Sequence, residues 1–221
     1  MIKIIDFLSA LRENNNRDWF YENKLVYREA LDNYQDLVNK IIAGISKIDH
    51  ALIGLEAKNS IFRIYRDIRF SKDKTPYKTH FGAYLANGGR KSLQAGYYFH
   101  IEPGNSFIAG GVYMPGKEQL KAIRQEIIFQ TEVYVGIIDN CLKKGYARYE
   151  QENKMKLAPK GFPADYKYIE ELKFKNYVFS KEYNDDKIAS PAFHENVIDD
   201  FKELFPYVDF LNNAMEYTGN E

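Results

Sequence analysis

The 221-residue chain has a single cysteine, Cys141, and a single tryptophan, Trp19. One thiol can neither close an intramolecular disulfide nor build a thiolate zinc centre. No apolar run approaches the ~18 residues a membrane helix needs. Met1-Ile2-Lys3-Ile4-Ile5-Asp6 meets a carboxylate too early for a secretory core, so a cytoplasmic protein without membrane contact is expected. Net charge is missing too: Lys+Arg and Asp+Glu are 31 each, which disfavours a surface built throughout for nucleic acid or an anionic bilayer. A Walker loop, a GxGxxG after a strand and a GxSxG elbow are all absent, which disfavours nucleotide-driven and Rossmann chemistry. No cofactor is predicted. His50, His80, His100 and His194 stand apart along the chain, and their spacing predicts no metal site.

What is abundant is aromatic: 18 Tyr and 15 Phe, a density that suits strands and amphipathic surfaces. The 45% hydrophobic and 28% charged composition is that of a globular protein. A chain of this size buries about 70% of its unfolded surface and needs no covalent staple.

Ile4, Ile5, Leu8 and Leu11 recur at helical spacing until Asn14-Asn15-Asn16, where Asn16 is a candidate N-cap. From Arg17 the apolar spacing through Phe20, Tyr27, Leu31, Tyr34, Leu37, Val38, Ile41, Ile42 and Ile45 predicts one long amphipathic helix to about Ser46. Between Ser60 and Tyr113 the period falls to two. Ile61 to Arg66, Phe81 to Leu85, Gly96 to Glu102 and Ser106 to Tyr113 read as strands. Asn87-Gly88-Gly89 and Glu102-Pro103-Gly104-Asn105 supply hairpin turns, which predicts an antiparallel meander. Helical spacing returns after Pro115-Gly116, with Thr131 a possible N-cap dividing it in two; Cys141 in the second helix reads as core. Residues 149 to 165 read as an ordered loop, Phe174 to Tyr183 as a strand, and Phe193 to Met215 as a closing helix bent or interrupted at Pro206. The fold class expected is α+β: one domain over residues 1–221, with a central antiparallel sheet, a long N-terminal helix and C-terminal helices packed on it.

Charge balances overall but not locally. From Lys58 to His80, Lys58, Arg63, Arg66, Arg69, Lys72, Lys74 and Lys78 face only Asp67 and Asp73, a net of +5, whereas Glu182 to Glu221 carries a net of −8. If the first run is a strand, Arg63, Tyr65, Asp67 and Arg69 share a face on which guanidinium forks hold a phosphate or carboxylate. Tyr65 adds a stacking surface and Asp67 orients an arginine. The competing reading pairs these arginines with the acidic tail and leaves Ser71 to Thr79 a solvated turn. Trp19 either staples a helix start or walls a pocket with the basic segment. Tyr98, His100 and Glu102 alternate on one strand face, and His100 and Glu102 are the candidate acid–base pair, although such a face is also simply the wetter side of a sheet. Gly110-Gly111 on the next strand leaves space or marks a bulge.

Asn14-Asn15-Asn16-Arg17-Asp18-Trp19-Phe20, the run from Phe62 to Lys78, Gly96-Tyr97-Tyr98-Phe99-His100-Ile101-Glu102-Pro103, Gly110-Gly111-Val112-Tyr113-Met114-Pro115 and Leu157-Ala158-Pro159-Lys160-Gly161-Phe162 together resemble the conserved hypothetical family known as domain of unknown function 2461. The resemblance spans nearly the whole chain and implies an α+β, mainly bacterial and fungal protein. It implies no activity and no catalytic residues. Arg63, Arg66, Asp67, Arg69, Lys72, Asp73, Lys74 and Tyr77 stand where the family motif has the same residue types.

The function expected is therefore the binding of a phosphorylated or carboxylated small ligand, enzymatic or not. Arg63, Tyr65, Arg66, Asp67 and Arg69 would form the site, Lys72, Lys74 and Lys78 its rim, with Trp19 at a wall. The alternatives are an interaction module for nucleic acid or an acidic protein, with zero net charge counting against nucleic acid, and a purely structural basic segment.

Overall fold

The structure, a computed structural model, describes residues 1–149 and 152–216. Two residues of the expected 149–165 loop and the end of the acidic tail, from residue 217, lie outside the described residues. Helix α1 (Ile2–Glu13) buries Ile4, Phe7, Leu8 and Leu11, a single helical stripe. The asparagine run ends it, and the Asn16 side chain accepts the Trp19 amide to cap α2 (Arg17–Glu22). The long helix expected from Arg17 is two helices. At Asn23 (φ −98°, ψ 16°) the backbone leaves helical geometry, and Asn23 Nδ2 donates to the Trp19 carbonyl at 2.9 Å. A short amide side chain competes for the helix's own carbonyl there, and α3 (Lys24–Ile45) starts afresh, burying Tyr34, Leu37, Val38, Ile41 and Ile45. A short helix, α4 (Ala57–Ser60), follows.

The run from Ile61 to Arg66 is not the expected strand, and the segment on to His80 loops. It makes isolated bridges, Ile61 with Ala83 and Tyr65 with Tyr77, and three flanking backbone bonds: Phe62 N to Gly82 O, Lys78 N to Ile64 O and Arg66 N to Pro76 O. Pro76 has no amide hydrogen to offer a ladder. Asp67 accepts the Arg69 amide and Asp73 the Thr75 amide, so short acidic side chains take donors that a strand partner would need.

The meander is as expected: β1 (Phe81–Leu85), β2 (Gly96–Ile101) and β3 (Ser106–Val112) are successive neighbours. Then come α5 (Lys117–Phe129), α6 (Thr131–Lys143), β4 (Ala147–Arg148), α7 (Ile169–Leu172), β5 (Tyr177–Tyr183), α8 (Asp185–Ala189) and α9 (Phe193–Glu216). The helix break near Thr131 is where the spacing put it, but Thr131 caps nothing. Gln130 holds the N-cap position and the Thr131 hydroxyl bonds back to the Ile127 and Ile128 carbonyls. Phe174 forms only an isolated bridge with Lys154, and β5 begins at Tyr177. Helix α9 runs on through Pro206. Among the described residues the strands form a five-stranded antiparallel sheet in the order β1-β2-β3-β5-β4, and helices cover it, as the α+β class requires.

Contacts group the chain into two compact units. The first holds residues 1–92, 98–108 and 182–200. In its core α3 lies on β1 and β2: the Tyr34 ring stacks on Phe81 and Phe99 at 5.2 and 5.6 Å, and its hydroxyl donates to the Phe99 carbonyl at 2.9 Å. The second holds residues 93–97, 109–181 and 201 onward. There Arg148 is enclosed by Tyr134, Tyr207, Phe174 and Phe179. Gly111, at φ +130°, brings β3 so close to β5 that a Cβ would sit 2.0 Å from the Tyr177 carbonyl oxygen. Cys141 is buried, and burial pushes its thiol up to about 11.

Candidate functional site

Two-residue alternation gives β1 and β2 one apolar face, where Phe81 and Phe99 meet α3, and one polar face. His80, just before β1, and Glu102, just after β2, continue the polar rows. The Tyr98 hydroxyl is 2.9 Å from His100 Nδ1, and His100 Nε2 is 3.4 Å from Glu102 Oε2. Thr79 donates to Glu102 Oε1 at 2.6 Å and Asn105 to Oε2 at 2.9 Å. The His80 and His100 rings lie 4.2 Å apart, and Phe107 stacks on His100 at 4.6 Å. The apparent isolation of the histidines therefore ends at this pair. The strand alternation does place Tyr98, His100 and Glu102 together.

Burial lowers the His80 imidazole to about 4, with His100 adding to the shift, and burial lowers His100 against the opposing pull of Glu102. Burial would raise Glu102, but hydrogen bonds from Thr79, Asn105 and His100 outweigh it and hold the carboxyl below its ordinary value. At neutral pH the group is two neutral imidazoles beside a carboxylate. It can accept protons or ligate a cation.

The basic segment closes on α2 and the start of α3. A cleft of about 450 Å³ is lined by Arg17, Phe20, Tyr21, Lys24, Tyr65, Arg66, Ile68, Pro76 and Tyr77. Tyr77 is buried and stacks on Phe20 at 4.0 Å, which gives the cleft a rigid aromatic wall. Arg66 is anchored through Nη1 to Asp73 and Thr75. The backbone amide of Thr75, then Arg66, lowers the Asp73 carboxyl to about 2. Arg66 and Arg69 pair with Asp73 and Asp67 within the loop, while Glu203 of α9 pairs with Lys144. Partners two to seven residues away cost little closure entropy.

A family model described as conserved hypothetical protein, DUF2461, matches residues 3–210. The chain belongs to this family. Neither a curated protein nor a solved structure matches it.

Of the residues expected to bind ligand, this DUF2461 protein places Tyr65 and Arg66 in the cleft. The shared strand face of Arg63, Tyr65, Asp67 and Arg69 does not form, because the segment loops. Asp67 and Arg69 form a two-bond ion pair at 2.7 and 3.0 Å, and that pairing lowers the Asp67 carboxyl, with Arg63 adding to it. Lys74 donates to the Ile68 carbonyl, and Lys78 lies over the Phe62 ring with its pKa lowered by burial and by Arg63. Arg63 and Lys72 are exposed and do not line the cleft. Trp19 packs on Phe7, ring centroids 6.3 Å apart, and leaves the cleft wall to its neighbours. The cleft residues not foreseen are Arg17, Phe20, Tyr21 and Lys24, with Ile68, Pro76 and Tyr77 of the loop. The three-one-three spacing of the first four is that of a helix face in the sequence, but the break at Asn23 puts Lys24 on α3 and the other three on α2. Among the described residues no helix is long and apolar enough to cross a membrane.

Proposed function

We propose that this protein binds an anionic small ligand, phosphorylated or carboxylated and bearing a planar ring, in the cleft between α2 and the 61–80 loop. The observation that carries this reading is the lining itself: every charged side chain in it is a cation, Arg17, Lys24 or Arg66, set among Phe20, Tyr21, Tyr65 and Tyr77. The volume falls in the range of small-molecule sites, about 300–1,000 Å³. Guanidinium forks suit phosphate and carboxylate oxygens, and the rings suit a planar group between them. Two charge-assisted contacts at about 1.5–3 kcal/mol each, with one stacked ring, sum to about 3.5–7.5 kcal/mol, a dissociation constant between millimolar and a few micromolar. His100 and Glu102, the acid–base candidates of the sequence, do not line this cleft.

The test is calorimetric titration with pyrophosphate, adenosine monophosphate and benzoate. The Arg17→Ala/Lys24→Ala pair should lose at least about tenfold in affinity without lowering the melting temperature, since both side chains are exposed. Asp73→Asn, which removes the counter-charge of Arg66 and leaves its bonds to Thr75, should bind more tightly, and Arg63→Ala/Arg69→Ala should bind as the wild type does. Flat titrations, or loss in the control pair alone, would overturn the proposal.

A second reading rests on Phe70, which is 96% exposed with the Arg69 guanidinium 5.9 Å from its ring centre: a stacking platform for single-stranded nucleic acid. Retardation of a labelled oligonucleotide at low salt, abolished by Phe70→Ala, would select it over the cleft.

A further inference from the structure

The polar face of β1 and β2 carries a constellation that the cleft does not use. His80, His100 and Glu102 each present one ligand atom, and these atoms all lie within 4.8 Å of one another. Around a tetrahedral ion with bonds of ~2.0–2.2 Å, neighbouring donors stand about 3.4 Å apart. His100 Nε2 and Glu102 Oε2 are 3.4 Å apart, long for a hydrogen bond and correct for two donors sharing one ion. His80 is half-buried, and its donor, within 4.8 Å of the other two, would have to move closer for a shared ion.

The surroundings hold these donors in place. With an ion bound, His100 would carry its hydrogen on Nδ1, donated to the Tyr98 hydroxyl 2.9 Å away, and the Nε2 that otherwise hydrogen-bonds Glu102 would present its lone pair to the ion. That hydroxyl has its place because position 82 is glycine: a Cβ there would lie 2.5 Å from it. Glu102 is fixed by Thr79 at one oxygen and Asn105 at the other, and the Phe107 ring stacks against His100. The opposing feature is Lys78, whose charge acts on both imidazoles and works against a second cation.

We propose that His80, His100 and Glu102 bind one divalent first-row transition ion of the zinc or iron(II) type. Two imidazoles and one carboxylate select this class over magnesium or calcium, which take oxygen ligands. Three protein donors leave at least one coordination position for water or a substrate oxygen, the pattern of reactive rather than structural sites.

The experiment uses the tag-free full chain, stripped with a chelator, and titrates Zn²⁺ by calorimetry and Co²⁺ by its visible d–d absorption. One equivalent of each is expected to bind, and Mg²⁺ none. His80→Ala and Glu102→Gln, at partly exposed positions that leave the fold intact by melting curve, should each weaken binding by at least about tenfold. Lys78→Gln should tighten it. Arg17→Ala/Lys24→Ala should bind metal as the wild type does, so this proposal and the anion cleft fail separately. No Zn²⁺ or Co²⁺ uptake by the wild type, or uptake unchanged in both ligand variants, would overturn it.

Discussion

Glu171→Gln isolates the charge in the most enclosed ion pair of the second unit. The Arg148 side chain is 8% exposed and that of Glu171 19%. The guanidinium lies 4.3 and 4.8 Å from the Phe179 and Phe174 ring centres, donates to the Tyr207 and Tyr134 hydroxyls at 2.9 and 3.0 Å, and pairs with the Glu171 carboxylate. Tyr134 in turn donates to Glu171 at 3.0 Å. Burial works against the charge on Arg148, but Tyr207, Tyr134 and Glu171 outweigh it, so the guanidinium keeps its proton at any accessible pH. Glutamine matches glutamate in size, so the substitution opens no cavity and removes only the counter-charge. Breaking a buried pair from one side costs about 3–5 kcal/mol. Water reaches Glu171 in part, and the hydroxyls and ring faces still support the cation, which brings the expectation to about 2–4 kcal/mol. In a chain of this length that is on the order of 10 °C in melting temperature. Urea titration should show a lower midpoint with an unchanged slope, and Arg148→Met combined with Glu171→Leu should recover part of the loss. A cost below about 1 kcal/mol would refute the reasoning, because such a small penalty needs a hydrated pocket.

Gly111→Ala should be among the most damaging small substitutions, costing more than about 3 kcal/mol, because φ is +130° and the new Cβ would meet the Tyr177 carbonyl oxygen, part of the backbone; a melting curve within a few degrees of wild type would contradict this. Cys141 should react with a thiol reagent only after denaturation. Its folded pKa is raised from 9.0 to about 11, so the unfolded chain loses this proton first, and stability that is fully present below pH 9 should fall by up to about 2 kcal/mol as pH rises to 11. Denaturation midpoints measured across that window should fall less steeply for Cys141→Ala than for the wild type.

The α1 stripe of Ile4, Leu8 and Leu11, the Asn16 cap, the three-strand meander with its glycine turns and the break near Thr131 were all legible, because each is a local pattern with a local cause. The break at Asn23 was not, since Phe20 and Tyr27 carry the apolar spacing across it and only a side-chain bond to the Trp19 carbonyl interrupts the backbone. The alternation of Phe62 and Ile64 imitated a strand, while Asp67, Asp73 and Pro76 removed the donors that a ladder would have used. Period and capping chemistry thus determined the α+β class and the meander, and motif runs such as Phe62 to Lys78 and Gly96 to Pro103 carried the resemblance to the family whose model matches residues 3–210. Which cations of a +5 segment face a cleft and which are spent on Asp67 and Asp73, and that His80 meets His100 across two strands, were decided only by the tertiary structure. Loop closure and strand register join residues far apart along the chain, and the free energy of those contacts leaves no trace in local spacing.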